Sequence, residues 1–159
     1  GVGLAYISDD MLQKKPFTVG WMSAPNPFQM NSTECTFEFD ARSYTQSTMS
    51  YISIVGLQTS LREILRLGSD RIEKHSNSLA NLLLDEISKT KWNPILNQIE
   101  ACNSNHIVSI ESATEPVEGT LEKLKENGLI CSSRGGKIRV SLAHYNDESD
   151  IANLIEHLT

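Results

Sequence analysis

The stretch ICSSRGGKIRVSLAHYNDESDI, residues Ile130–Ile151, decides how this chain folds. Arg134-Gly135-Gly136 forms a turn, and the runs on either side, Leu129–Ser133 and Lys137–Ala143, are strands. The stretch then enters an amphipathic helix over Asp147–Leu158. Tyr145-Asn146 shape the entry to that helix, with Asn146 or Asp147 as its cap and His144 facing solvent or capping it.

Upstream, Pro116–Asn127 is predicted as a helix closed by Gly128, and His106–Glu111 (HIVSIE) as a β-rich run. Ile72, His75, Leu79, Leu82, Leu83 and Ile87 share one face of a helix that Ser69 caps and that runs to about Thr90. His75 on that face is expected as a core or helix–helix residue. Ile54, Leu57, Leu61, Ile64, Leu65 and Leu67 mark another helix over residues 51–67, broken at Gly68. Residues 69–159 therefore predict a self-contained α+β unit, with helices on one face of a small sheet.

Residues 1–50 differ. GVGLAYI (Gly1–Ile7) is a short apolar run that predicts a buried strand. Ser8 or Asp9 caps a short helix through Lys15, which Pro16 ends. A long irregular stretch follows, with Pro16, Pro25 and Pro27 and short extended pieces expected at Thr36–Phe39. One strand and a long loop cannot bury their own faces, so a partner sheet is expected from elsewhere.

Composition bounds the function. The 159 residues are 39% hydrophobic and 21% charged, enough for a core. The net charge of -6 excludes a general basic surface for nucleic acid. No apolar run approaches the roughly 20 residues of a membrane span. Cys35, Cys102 and Cys131 are odd in number and lack metal-binding spacing, so no metal is expected; they are predicted as buried thiols in a reducing, cytoplasmic compartment. No secretory signal precedes the first strand. The start at Gly1 rather than Met leads us to expect a fragment, a processed chain or an engineered piece.

The order Arg134, then Arg139, Ser141, Tyr145 and Asn146, then Glu148 and Asp150, resembles the C-terminal signature of class V, fold type I, pyridoxal-phosphate enzymes. GVGLAYIS is similar to the strand after that family's cofactor lysine, and ARSYTQST (residues 41–48) to its Ala-Arg-Arg-Phe-Glu-x-Gly-Thr stretch. Ser69–Leu84, with Ile-x-x-His, resembles the helix after its interdomain helix. The resemblance runs over nearly the whole chain. It implies a remnant of the large cofactor-binding domain at 1–50, a connecting helix at 51–68 and the small C-terminal domain at 69–159. It implies further that the Schiff-base lysine lies upstream of Gly1; the eight lysines present all look solvated.

Candidate site residues follow. A planar, permanently charged guanidinium is the best anchor for an α-carboxylate. Arg139, flanked by Ile138 and Val140, is either a solvated strand residue or such an anchor, and the resemblance implies the anchor. Arg134 is either a solvated turn residue or a second anion contact. Thr48, with neighbouring Ser47, matches the family's contact to the cofactor phosphate across a dimer interface; the other reading is a plain helix cap. Departures from the family pattern are Ser43 for Arg, Thr45 for Glu and Ser47 for Gly, and a Ser there restricts backbone approach to a phosphate. Gly20-Trp21 matches a pocket-lining pair of kynureninase-like members, or Trp21 is a packing aromatic. Cys131 precedes Arg134, whereas the desulfurase nucleophile of the family follows the first arginine, so an inert buried thiol is expected.

The resemblance thus implies the C-terminal part of a pyridoxal-phosphate-dependent, aminotransferase-like homodimer acting on an amino acid. Epimerase-like, kynureninase-like and cysteine desulfurase activities are the alternatives within the class. From another class, a non-catalytic α+β interaction or regulatory module is the rival reading.

Overall fold

Alternating apolar residues in the later part of the chain meet across an antiparallel sheet. The computed structural model describes residues 1–31, 33–34, 36–96 and 106–159, and it falls into two units, residues 1–62 and 63–159. Five helices are described: α1 (Asp9–Leu12), α2 (Tyr51–Leu67), α3 (Ser69–Ile87), α4 (Val117–Glu126) and α5 (Glu148–Leu158). The strands β1 (Asn93–Pro94), β2 (Ile107–Glu111), β3 (Ser132–Arg134) and β4 (Lys137–Ser141) make one sheet in the order β1-β2-β4-β3, with every pair antiparallel. The fold is α+β.

The sheet is two-faced. Val108 and Ile110 of β2 and Ile138 and Val140 of β4 are buried, whereas Ile107, Glu111 and Ser141 are exposed. The buried face packs with Leu79, Leu83 and Ile87 of α3, Val117 and Leu124 of α4, and Ile151, Leu154 and Leu158 of α5. Trp92, just before β1, is buried in the same cluster. Burying one such side chain contributes about 1.5–3 kcal/mol, so this cluster holds the unit together.

Local signals set the element ends. The turn between β3 and β4 needs two successive left-handed residues, and Gly135 (φ 58°) and Gly136 (φ 71°) supply them. At the end of α4, Gly128 (φ 79°) lets its N–H reach Lys125 O (3.0 Å) and Leu129 N–H reach Leu124 O (2.9 Å). That closure takes Leu129 out of the sheet, so β3 begins at Ser132 and is shorter than the Leu129–Ser133 expected. Asp147, of the two candidates, caps α5: its carboxylate accepts from Ser149 N (2.8 Å) and Asp150 N (3.2 Å), and Asp147 N donates back to Asp150 Oδ2 (3.2 Å). Asn146 braces the approach, accepting from Ala143 N (2.9 Å) and donating to Asp150 Oδ2 (3.0 Å).

Residues 1–62 are built otherwise. Gly1–Ile7 is not a strand, and neither is Thr36–Phe39. A strand needs a neighbour for its backbone groups, and among the described residues of this unit none pairs. Val2, Leu4 and Tyr6 are accordingly exposed. α1 stops at Leu12, short of Lys15, and its Ser8 makes no side-chain cap bond. The rest consists of single-turn 3-10 segments, Trp21–Ser23, Pro27–Gln29 and Ala41–Tyr44. They are tied by polar bonds: Ser23 Oγ donates to Thr45 O (2.8 Å), Gly20 N to Ser23 Oγ (3.1 Å), Tyr44 Oη to Met11 O (3.1 Å), and Gln46 Nε2 to Thr18 Oγ1. The buried residues described here are Pro16, Ser23 and Ser43.

Candidate active site

β4 has to put every second side chain away from the core. Ile138 and Val140 occupy the buried parity, which leaves Lys137, Arg139 and Ser141 on the opposite face. The register places Arg139 between Ser109 of β2 and Ser132 of β3, so a Ser–Arg–Ser row crosses the face. Arg134 stands opposite Lys137 in the next row, and Lys137 Nζ lies 3.3 Å from Glu111 Oε2.

Arg139 is half-buried. Its Nε is shut off from water and has no hydrogen-bond partner among the described residues. A buried donor left unmade costs about 1–3 kcal/mol, and an acceptor supplied from outside would recover it. Guanidinium presents Nε and one terminal nitrogen as a parallel pair, which matches the two oxygens of a carboxylate. Arg134 is exposed at the end of β3. Ser109 and Ser132 were missed on the sequence, because only the strand register makes them neighbours of Arg139.

Thr48 and Ser47 are exposed, just before α2 and without a hydrogen-bond partner among the described residues. The helix end itself is served by Ser50: its carbonyl accepts from Ile54 N (3.1 Å) and its hydroxyl lies 2.8 Å from that of Ser53. Two unspent hydroxyls ahead of a helix start fit a phosphate group. Trp21 stacks edge-on to Phe28 (centroids 6.1 Å apart) and lines a cavity of about 330 Å³ with Gly20, Asn26, Met30 and Thr36. Gly20 is a point of close approach: a Cβ there would overlap the backbone carbonyl of Gln46.

Cys131 sits one residue before β3, half-buried, and burial pushes its thiol pKa up. That is the environment of an inert cysteine. Cys35 and Cys102 lie outside the described residues. His75 is half-buried and its Nε2 bonds to the carbonyl of Asn146 (2.8 Å), so it ties α3 to the turn before α5. His144 neither faces solvent freely nor caps the helix: its Nε2 is 3.6 Å from Glu63 Oε1. It lines a cleft of about 740 Å³ with Ile64, Ser69, Ile72, Glu73 and Leu142, a cleft whose walls do not include Arg139. Among the described residues no helix is long and apolar enough to cross a membrane.

A model of the aminotransferase class-V family matches residues 1–154 of this chain. No curated protein matches it. Among solved structures it is similar to the cysteine desulfurase CsdA from Escherichia coli, with a TM-score of 0.77 at 18% identity. It is similar also to the cystine C–S lyase C-DES in complex with its reaction product, cysteine persulfide (TM-score 0.78, 19% identity), and to a variant of that lyase with glycine covalently linked to the PLP cofactor (0.77, 19%). Each alignment covers 96% of this chain and 40% of the other, so the chain spans about two-fifths of the proteins it resembles. At these identities the likeness is one of fold.

Proposed function

The chain belongs to the aminotransferase class-V family, and from that premise we propose that it is the C-terminal part of an enzyme that transforms an amino acid, with Arg139 anchoring the substrate α-carboxylate. The family's cofactor is pyridoxal phosphate. When bound, that group acts as an electron sink for the bond broken at the substrate's α-carbon. In this reading the lysine that carries it lies upstream of Gly1.

The residues present divide the remaining work. Arg139 binds the carboxylate through a fork of two N–H donors and so fixes which bond of the α-carbon is presented. Its position in a paired strand, rather than on a loop, limits its freedom to swing. The hydroxyls of Thr48 and Ser47 hold the cofactor phosphate, across a homodimer interface, and Trp21 lines the pocket wall. Residues 1–50 are a remnant of the large domain, 51–68 the connecting helix and 69–159 the small domain. The partners are the rest of the large domain and a second subunit, in the reducing cytoplasm.

Amino-group transfer is preferred over sulfur release. Between Arg134 and Arg139 stand Gly135, Gly136, Lys137 and Ile138, with no thiol, and burial keeps Cys131 protonated. The observation that carries the reading is the buried, unpartnered Nε of Arg139.

The test is kinetic, in the complete enzyme. Arg139→Ala is expected to lower kcat/KM by roughly 30- to 1,000-fold, the equivalent of about 2–4 kcal/mol. Arg139→Lys recovers part of it, because an ammonium cannot form the planar fork. Cys131→Ala leaves activity intact. Loss of sulfur release from cysteine in Cys131→Ala, with Arg139→Ala silent, overturns the proposal.

A further inference from the structure

We infer that Arg134 is a second anion anchor beside Arg139, and that the amino acid taken by this site carries a negative group on its side chain, a carboxylate or a phosphate. This rests on the reading of Arg139 as the α-carboxylate anchor.

The sheet register carries the argument. Ser132 pairs with Arg139 and Arg134 pairs with Lys137, so both arginines stand on the same face, as diagonal neighbours on adjacent strands. Such positions are roughly 7–8 Å apart at the backbone. Two long side chains can converge across that gap on the two ends of a four- or five-carbon dianion. The two-glycine turn leaves no slack between the strands, which fixes the offset.

Charge points the same way. The chain as a whole is acidic, at -6. On β2, β3 and β4 this face instead gathers Arg134, Lys137 and Arg139 against one carboxylate, Glu111. Lys137 is the cation that Glu111 neutralises, at 3.3 Å. Among the described residues the Arg134 side chain has no ion pair or hydrogen bond, and Arg139 Nε has no partner. With Lys137 matched by Glu111, the two guanidinium groups are, among the described residues, the cations of this face left without a counter-charge. A dianion held between the arginines supplies one to each. A substrate with one carboxylate supplies only one of them.

The test uses the complete enzyme with ¹⁵N-labelled arginine side chains, titrated at low ionic strength with butyrate, a monocarboxylate, and with glutarate, a dicarboxylate. Both are expected to shift the Arg139 Nε signal. Glutarate alone shifts Arg134 as well and binds about fivefold tighter, the scale of one exposed ion pair. Arg134→Gln abolishes that preference and leaves butyrate binding unchanged. If butyrate shifts Arg139 but glutarate binds no tighter, or if Arg134→Gln keeps the preference, Arg134 is a solvated turn residue and only this inference falls. If neither anion shifts Arg139, the carboxylate anchor itself is wrong and both readings fall.

Discussion

Residues 63–159 and residues 1–62 solve the problem of staying folded in opposite ways. The later unit hides Leu79, Leu83, Ile110, Leu124, Ile138 and Ile151 almost completely and leaves polar residues outside. The earlier one leaves Leu4, Tyr6, Phe17, Phe28 and Phe39 in the open and keeps two serines, Ser23 and Ser43, inside. Its internal ties are hydroxyl and amide hydrogen bonds, each worth about 1 kcal/mol net in competition with water. Apolar burial is the larger force, so the first unit holds its shape by weaker means. The difference teaches that the proposed carboxylate anchor stands in the unit built around an apolar core, while the proposed phosphate contacts stand on the part with no such core.

The sharpest way to break that comparison is a pair of substitutions. Leu83→Ala, at a fully buried position, is expected to cost about 3 kcal/mol. Phe17→Ser, at a fully exposed one, is expected to stay within about 0.5 kcal/mol. Urea unfolding measures both, followed by the fluorescence of Trp92 for the first and, in a Trp92→Phe background, of Trp21 for the second. Equal effects would mean that residues 1–62 have an apolar core after all. A smaller effect belongs to Gly20→Ala. The new Cβ meets the Gln46 backbone, which cannot retreat as a flexible side chain would. Overpacking of this kind costs about 1–3 kcal/mol. The expected result is faster protease cutting between Pro16 and Ser50, with residues 63–159 surviving as a resistant fragment. Simultaneous loss of both halves would make them one cooperative unit.

How the two regions differ was only half legible in the sequence. The helices α3, α4 and α5 and the strands β2 and β4 follow from their apolar periods, because those periods are satisfied inside the same stretch of chain. Gly1–Ile7 has equally good strand composition and is no strand, because pairing is a property of two segments and only one is described. Asn93–Pro94 went unread for the opposite reason: two residues show no period. At the sheet edge, where β1 lies, Pro94 is tolerated despite its missing N–H. In the proposed site, Arg139 between its apolar neighbours read either as a solvated strand residue or as an anchor, and only the family resemblance chose the anchor. Its serine flanks were not visible, since Ser109 and Ser132 are far from Arg139 in sequence or separated from it by a turn. Nor could spacing decide that Ser50, and not Thr48, serves the start of α2.

The smallest effect concerns acid, and it sharpens the comparison with one carboxylate from each unit. The Ser149 hydroxyl and the amides of Asp150 and Ser149 hold Asp147 below the ordinary carboxylate range; the Arg42 side chain does the same for Asp40. A lowered folded-state pKa means stability that is present above the unfolded value, about 3.9, and is lost as pH falls through the lower folded value. Asp147 caps a helix with three residues in the core, whereas Asp40 caps a single 3-10 turn whose one buried residue is Ser43. The stability of residues 63–159 is therefore expected to fall below about pH 4, and Asp147→Asn to flatten that dependence. Asp40→Asn leaves it unchanged. Thermal melts across this pH window, followed by circular dichroism, separate the two.

The parity of β4 also acts as a proofreading device. The alternation that hides Ile138 and Val140 is the one that presents Arg139. A slip of one residue in pairing would push the guanidinium into the apolar cluster and bare two aliphatic side chains. Burying an unpaired charge is among the costliest errors a fold can make. A chain that folds with Arg139 misaimed is thus disfavoured before any ligand arrives, and the aim of the proposed anchor is checked by the same energy that forms the sheet.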